Sequence, residues 1–77
     1  MKKVYIIKQY LWNGTIVLKV ITSAFPTKAL AEKCKDAILK DNQYRLETDP
    51  EHAIPCTCEI EETAFFESEK EIPILNK

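Results

Sequence analysis

A chain of 77 residues, 45% hydrophobic and 30% charged with a single glycine, has the makings of one globular domain and no room for a separate catalytic lobe. Its composition excludes disordered, collagen-like and membrane-spanning classes, and at this size one core supplies only roughly 3–5 kcal/mol, so a metal, a disulfide or a second copy is often recruited. The net charge of −1 hides an asymmetry: residues 1–40 carry eight lysines against Glu32 and Asp36, and residues 41–77 carry Arg45, Lys70 and Lys77 against ten acids. Two halves of opposite sign are expected to pack together and neutralise each other.

The amino terminus, Met1-Lys2-Lys3 before Val4-Tyr5-Ile6-Ile7, opens like a secretory signal, but Lys8 and Gln9 end the apolar run after four residues. A cytoplasmic chain is expected, and its three cysteines are then free thiols rather than a disulfide framework.

Asn13-Gly14 is the strongest local signal. Both residues accept positive φ cheaply, as a two-residue type I′ turn demands, and apolar stretches flank them, so the sequence predicts strands over 3–12 and 15–25. With Trp12 opposite Thr15, the pairs Tyr10–Val17, Lys8–Lys19 and Ile6–Ile21 share one face. Leu11–Ile16, Gln9–Leu18, Ile7–Val20 and Tyr5–Thr22 share the other. The second face has no charge and is the expected core.

Phe25-Pro26-Thr27 opens a helix with Thr27 as N-cap, followed by good helix formers. Leu30, Cys34, Ala37 and Ile38, with Ala31 beside them, make a stripe for the uncharged sheet face, and Asp41-Asn42 offers a stop. Residues 43–55 read as a loop. Cys56, Cys58 and Ile60 alternate with Thr57, Glu59 and Glu61, the period-2 mark of a third strand that extends towards Phe65-Phe66. The domain is therefore expected over 1–66, with an acidic and then apolar tail over 67–77 in which Pro73 forbids helix.

The order strand, strand, helix, strand predicts an α+β domain, β-β-α-β, whose antiparallel three-stranded sheet has the order 2-1-3 with one helix on one face. Glu59 and Glu61 then lie on the outward face beside Lys8, with Lys19 one strand further. Over most of residues 3–62 the chain resembles the small β-β-α-β domains of uncharacterised bacterial and phage proteins. The likeness rests on Lys3-Val4-Tyr5-Ile6-Ile7, on Phe25 through Lys33 and on Cys58-Glu59-Ile60-Glu61-Glu62. It implies the fold, and it carries no activity and no site residue.

Metal and catalytic constellations are weak. Cys56-x-Cys58, His52 and Cys34 are the right ligand types for zinc, but the spacing is not that of a zinc knuckle, and alternate strand positions turn both cysteines towards the core. The expected number of metals and cofactors is zero. His52 sits in a polar loop without a catalytic motif beside Ser23 or Ser68, the glycine is used in the hairpin, and no enzyme is expected. Lys28, Lys33, Lys35 and Lys40 give a nucleic-acid binder as the alternative function, against which stand Glu32, Asp36, a single arginine and a pI of about 5.8. The outward face remains. Ile6, Tyr10, Trp12, Val17 and Ile21 expose more apolar area than one sheet leaves wet, unless the tail or the 43–55 segment covers it. They point to a non-catalytic, homodimeric or partner-binding module.

Overall fold

The computed structural model describes residues 2–75; Met1 at the start of the expected domain, and Asn76 and Lys77 at the end of the expected tail, lie outside them. Two long strands, β1 (Lys2–Asn13) and β2 (Ile16–Phe25), lead into a helix, α1 (Lys28–Thr48), and a third strand, β3 (Cys56–Phe65), before two short 3₁₀ turns at Glu69–Glu71 and Pro73–Leu75. The sheet is antiparallel with the order β2-β1-β3, the expected α+β arrangement of β-β-α-β type.

The hairpin register differs from the sequence expectation. Pairing closes at Asn13–Ile16, so the turn residues are Gly14 and Thr15, and only Gly14 has positive φ, at 63°. That matches a II′-type turn with glycine first rather than the expected I′ turn on Asn13-Gly14. Moving the turn by one residue displaces the pairing by two and keeps every side chain on its expected face. A bulge then interrupts the ladder: Trp12 pairs with Val17 and Leu11 with Lys19, leaving Leu18 as the extra residue. The displacement becomes odd, and from Lys19 onward β2 exchanges its faces. Gln9 pairs with Ile21, Tyr10 with Val20 and Lys8 with Thr22. Lys19 and Ile21, expected outward, lie on the Ile7 side, and Val20 and Thr22 turn outward.

Thr27 caps α1 as expected, extended at φ −133°, ψ 151° and accepting from the Leu30 N–H at 3.2 Å. The helix does not stop at Asp41-Asn42. Arg45 Nε donates to Asp41 Oδ2 at 2.9 Å, Gln43 Nε2 to Glu47 Oε1 at 3.2 Å and the Thr48 hydroxyl to the Tyr44 carbonyl at 2.9 Å. These i, i+4 links extend α1 to Thr48, through the first six residues of the segment read as loop. Asp49 ends it, its N–H donating to the Arg45 carbonyl.

The buried stripe is rotated from the one expected. Ala31 is fully buried, and Cys34, Lys35, Ile38, Leu39, Asn42 and Leu46 are half-buried, whereas Leu30 is 49% exposed and Ala37 is exposed. Against it β3 presents Cys56, Cys58 and Ile60, paired with Leu11, Gln9 and Ile7 of β1. Asn42 ties the layers: its Nδ2 donates to the Ile54 carbonyl at 2.7 Å and its Oδ1 accepts from the Cys56 N–H at 3.2 Å.

The core so formed is small. Among the described residues only Ile7 and Ala31 are buried hydrophobics. The radius of gyration is 16.3 Å, against about 11.5 Å for a compact domain of this length, and the extents are 53 × 26 × 13 Å.

Candidate interaction surface

The outward face is built on the even-numbered residues of β1, because successive strand side chains alternate and the odd-numbered Ile7 faces α1. Four of these residues reach diagonally across to β3 or just beyond it with a constant offset. Lys2 Nζ meets Glu67 Oε1 at 2.8 Å, Lys8 Nζ meets Glu61 Oε2 at 2.7 Å, the Tyr10 hydroxyl donates to Glu59 Oε1 at 2.6 Å and Trp12 Nε1 donates to Thr57 Oγ1 at 2.9 Å. The Trp12 N–H carries the ladder one step further, donating to the Pro55 carbonyl at 2.9 Å. Tyr10 and Trp12 lie with ring centroids 6.4 Å apart and tilted by 42°. The charge asymmetry of the sequence is used here, amino-terminal lysines against carboxyl-terminal glutamates.

The electrostatics follow. Hydrogen bonding to Glu61, helped by its charge, raises the Lys8 pKa, and Glu67 acts on Lys2 in the same way. Glu67 is correspondingly held below the usual carboxylate value by its hydrogen bond to Lys2. The Tyr10 phenol is raised, first by its bond to Glu59 and then by partial desolvation. These groups lie exposed or half-buried on the sheet surface, where solvent screens them, so their ion pairs are worth little each. Their consequence is geometric: the long side chains of β1 lean towards β3 and away from β2.

Strand β2 is left bare. On the outward side it shows Val17 at 38% and Val20 at 46% exposure, and on the helix side Ile16 at 64% and Ile21 at 41%, because α1 lies mainly over β1 and β3. Of the predicted site, Ile6, Tyr10, Trp12 and Val17 do share the outward face. Ile21 does not, since the bulge turns it to the helix side opposite Gln9, and Val20 takes its place beside Tyr10. The sequence has no mark for the bulge, as neither glycine nor proline stands near Leu18. Among the described residues the tail leaves β2 uncovered: its two turns meet each other, Glu67 reaches Lys2 at the start of β1, and Ile74 and Leu75 are exposed.

The remaining candidates do not converge. At 3.6 residues per turn Lys28 and Lys35 fall on one side of α1 and Lys33 and Lys40 more than a quarter-turn round it, with Glu32 and Asp36 between them. The four lysines therefore form no continuous cationic stripe. Cys34, Cys56 and Cys58 are half-buried free thiols, and burial, with a contribution from Cys56, pushes the Cys58 thiol up. His52 is exposed, its Nδ1 2.9 Å from Asp49 Oδ1. Among the described residues no three or more His, Cys, Asp or Glu side chains group in a way that could hold a metal ion. An open cleft of about 390 Å³ between α1 and the approach to β3 is lined by Gln9, Leu11, Ile38, Asn42, Arg45 and His52. Three of its polar side chains are paired locally: Asn42 with the backbone, Arg45 with Asp41 and His52 with Asp49. Among the described residues no helix is long and apolar enough to cross a membrane.

Comparison of the chain with protein-family models, with curated protein sequences and with solved structures gives no match.

Proposed function

We propose that this chain is a non-catalytic interaction module that works as a homodimer, with β2 as its principal contact element. The observation that carries the reading is that a ten-residue strand, seven of whose residues are apolar, is exposed on both of its faces in a domain with only two buried hydrophobic residues among those described. A contiguous exposed apolar surface of this kind marks an interface in a soluble protein. The accessible surface supports the same reading: the chain exposes 6095 Å², against about 4,800 Å² for a folded monomer of its mass. The excess exceeds the roughly 800 Å² that each partner contributes to an interface of standard size. Tyr10 and Trp12 belong to residue types enriched at interface centres, and they border the strip. The cytoplasm is the proposed setting, since three free thiols suit a reducing compartment.

The test is the native mass of charged variants. Val17→Asp and Ile21→Asp place a carboxylate on opposite faces of β2, at positions already 38% and 41% exposed, where the monomer tolerates it. Light scattering after size exclusion is expected to find each variant at about 8.9 kDa with the circular dichroism of the parent. Variants that both keep the parental dimer mass would refute β2 as the contact element.

A further inference from the structure

Resting on that reading, the geometry points to how the second copy is bound: β2 pairs edge to edge with β2 of the partner, antiparallel about a two-fold axis, to give one six-stranded sheet of order β3-β1-β2-β2′-β1′-β3′. The sheet order β2-β1-β3 leaves β2 and β3 as the two edges, each with a row of main-chain groups directed away from β1. The edges differ in kind. β3 carries Glu59, Glu61 and Glu62; Lys8 and Lys3 of β1 pair with Glu61 and Glu62 from the inner side, and two such edges brought together still set three carboxylates of each strand close across the ladder. β2 runs Ile16-Val-Leu-Lys-Val-Ile-Thr-Ser-Ala-Phe25 with one charge, no proline and no glycine. None of the usual devices that block an edge is present beyond that lysine and the bulge at Leu18.

Charge and burial both select β2 against β2′. In that arrangement the acidic β3 strands become the outer rims, about 24 Å apart at five strand spacings, well beyond the screening length of physiological salt. Pairing β2 with a partner's β3 leaves a free edge at each end and propagates into a filament, whereas the two-fold contact closes. Face-to-face stacking covers Val17 and Val20 of β2 but leaves its Ile16 and Ile21, on the other face, in water. Edge pairing places neighbouring side chains beside both sets. It also explains why β1 directs its long polar side chains towards β3: the half of the outward face next to the new strand stays free of charge.

Amide hydrogen exchange of the full chain, read residue by residue alongside the native mass, tests the pairing. In an edge strand alternate amides bond to β1 and the others face solvent. With β2′ in place consecutive amides along the middle of β2 are all protected, the outward-directed set exchanging about 100-fold or more slower than unpaired amides. A dimer mass with alternating protection along β2 would overturn the edge pairing while leaving self-association intact. A monomer mass would overturn both.

Discussion

Replacing Ile7 tests whether stability is concentrated where the structure places it. Ile7 is 1% exposed at the centre of the middle strand, between Ser23 of β2 and Ile60 of β3, and is the largest fully buried side chain among the described residues. Truncating a buried isoleucine to alanine costs about 2–5 kcal/mol once the cavity is included, and trimming it to valine about 0.5–1.5 kcal/mol. A domain of this size holds roughly 3–5 kcal/mol in all. Ile7→Ala is therefore expected to unfold the chain, and Ile7→Val to lower the urea midpoint by about 0.5–1.5 M at a slope near 1 kcal/mol/M. Leu30→Ala, at a side chain 49% exposed, removes roughly half of a full burial and is expected to cost about 1 kcal/mol. The assay is urea denaturation followed by circular dichroism and Trp12 fluorescence, at one fixed protein concentration because dimerisation adds its own linkage. An Ile7→Ala variant that unfolds cooperatively within 1 M of the parent, or a Leu30→Ala variant that is equally damaged, would refute a core centred on Ile7.

Three further outcomes are expected. Asn42→Ala removes both bonds that join α1 to the approach to β3, so it should lower stability by about 1–2 kcal/mol and speed exchange of the Cys56 amide, readable in the same urea and exchange experiments. The Tyr10 phenol, raised by its bond to Glu59, should titrate above 10.0 in a Tyr5→Phe, Tyr44→Phe background, and Glu59→Gln should bring it down, as followed by phenolate absorbance. Because its folded pKa is the higher one, that bond stabilises fully below pH 10 and is lost as pH rises through the raised value; a Tyr10 titration unchanged by Glu59→Gln would contradict the contact. The Cys58 thiol, raised by burial, should react with iodoacetamide at pH 8 more slowly in the native protein than in guanidinium, and equal rates by peptide mass spectrometry would count against its packing under α1.

Much of this architecture is written in short-range patterns. The alternation of Cys56, Cys58 and Ile60, the Thr27 cap and the single Asn-Gly pair are each set by neighbouring residues, and strand order follows from their sequence once the crossover is constrained. The placement of Glu59 and Glu61 near Lys8 followed in turn, since antiparallel pairing of β1 with β3 brings them together. What escaped the sequence depends on longer range or on one residue's count. The bulge at Leu18 has no glycine to announce it, yet that single extra residue moves Ile21 and Lys19 to the helix side and brings Val20 outward. Asn42 reads locally as a helix stop, but its amide is engaged with Ile54 and Cys56, more than ten residues away, which no local rule anticipates. Leu30 reads as core because of its spacing to Cys34 and Ile38, and it is exposed because the stripe that meets β1 and β3 runs through Ala31, Lys35 and Asn42 instead.

The bare strand β2 unites these observations: the diagonal ladder on β1 and β3, the small core and the excess surface all leave it as the element to be covered. The most direct test is the mass of the unmodified chain by sedimentation equilibrium over a range of concentrations. A β2-paired dimer has a mass of about twice 8.9 kDa, falling towards the single-chain value only on dilution. A mass of 8.9 kDa at every concentration would contradict it.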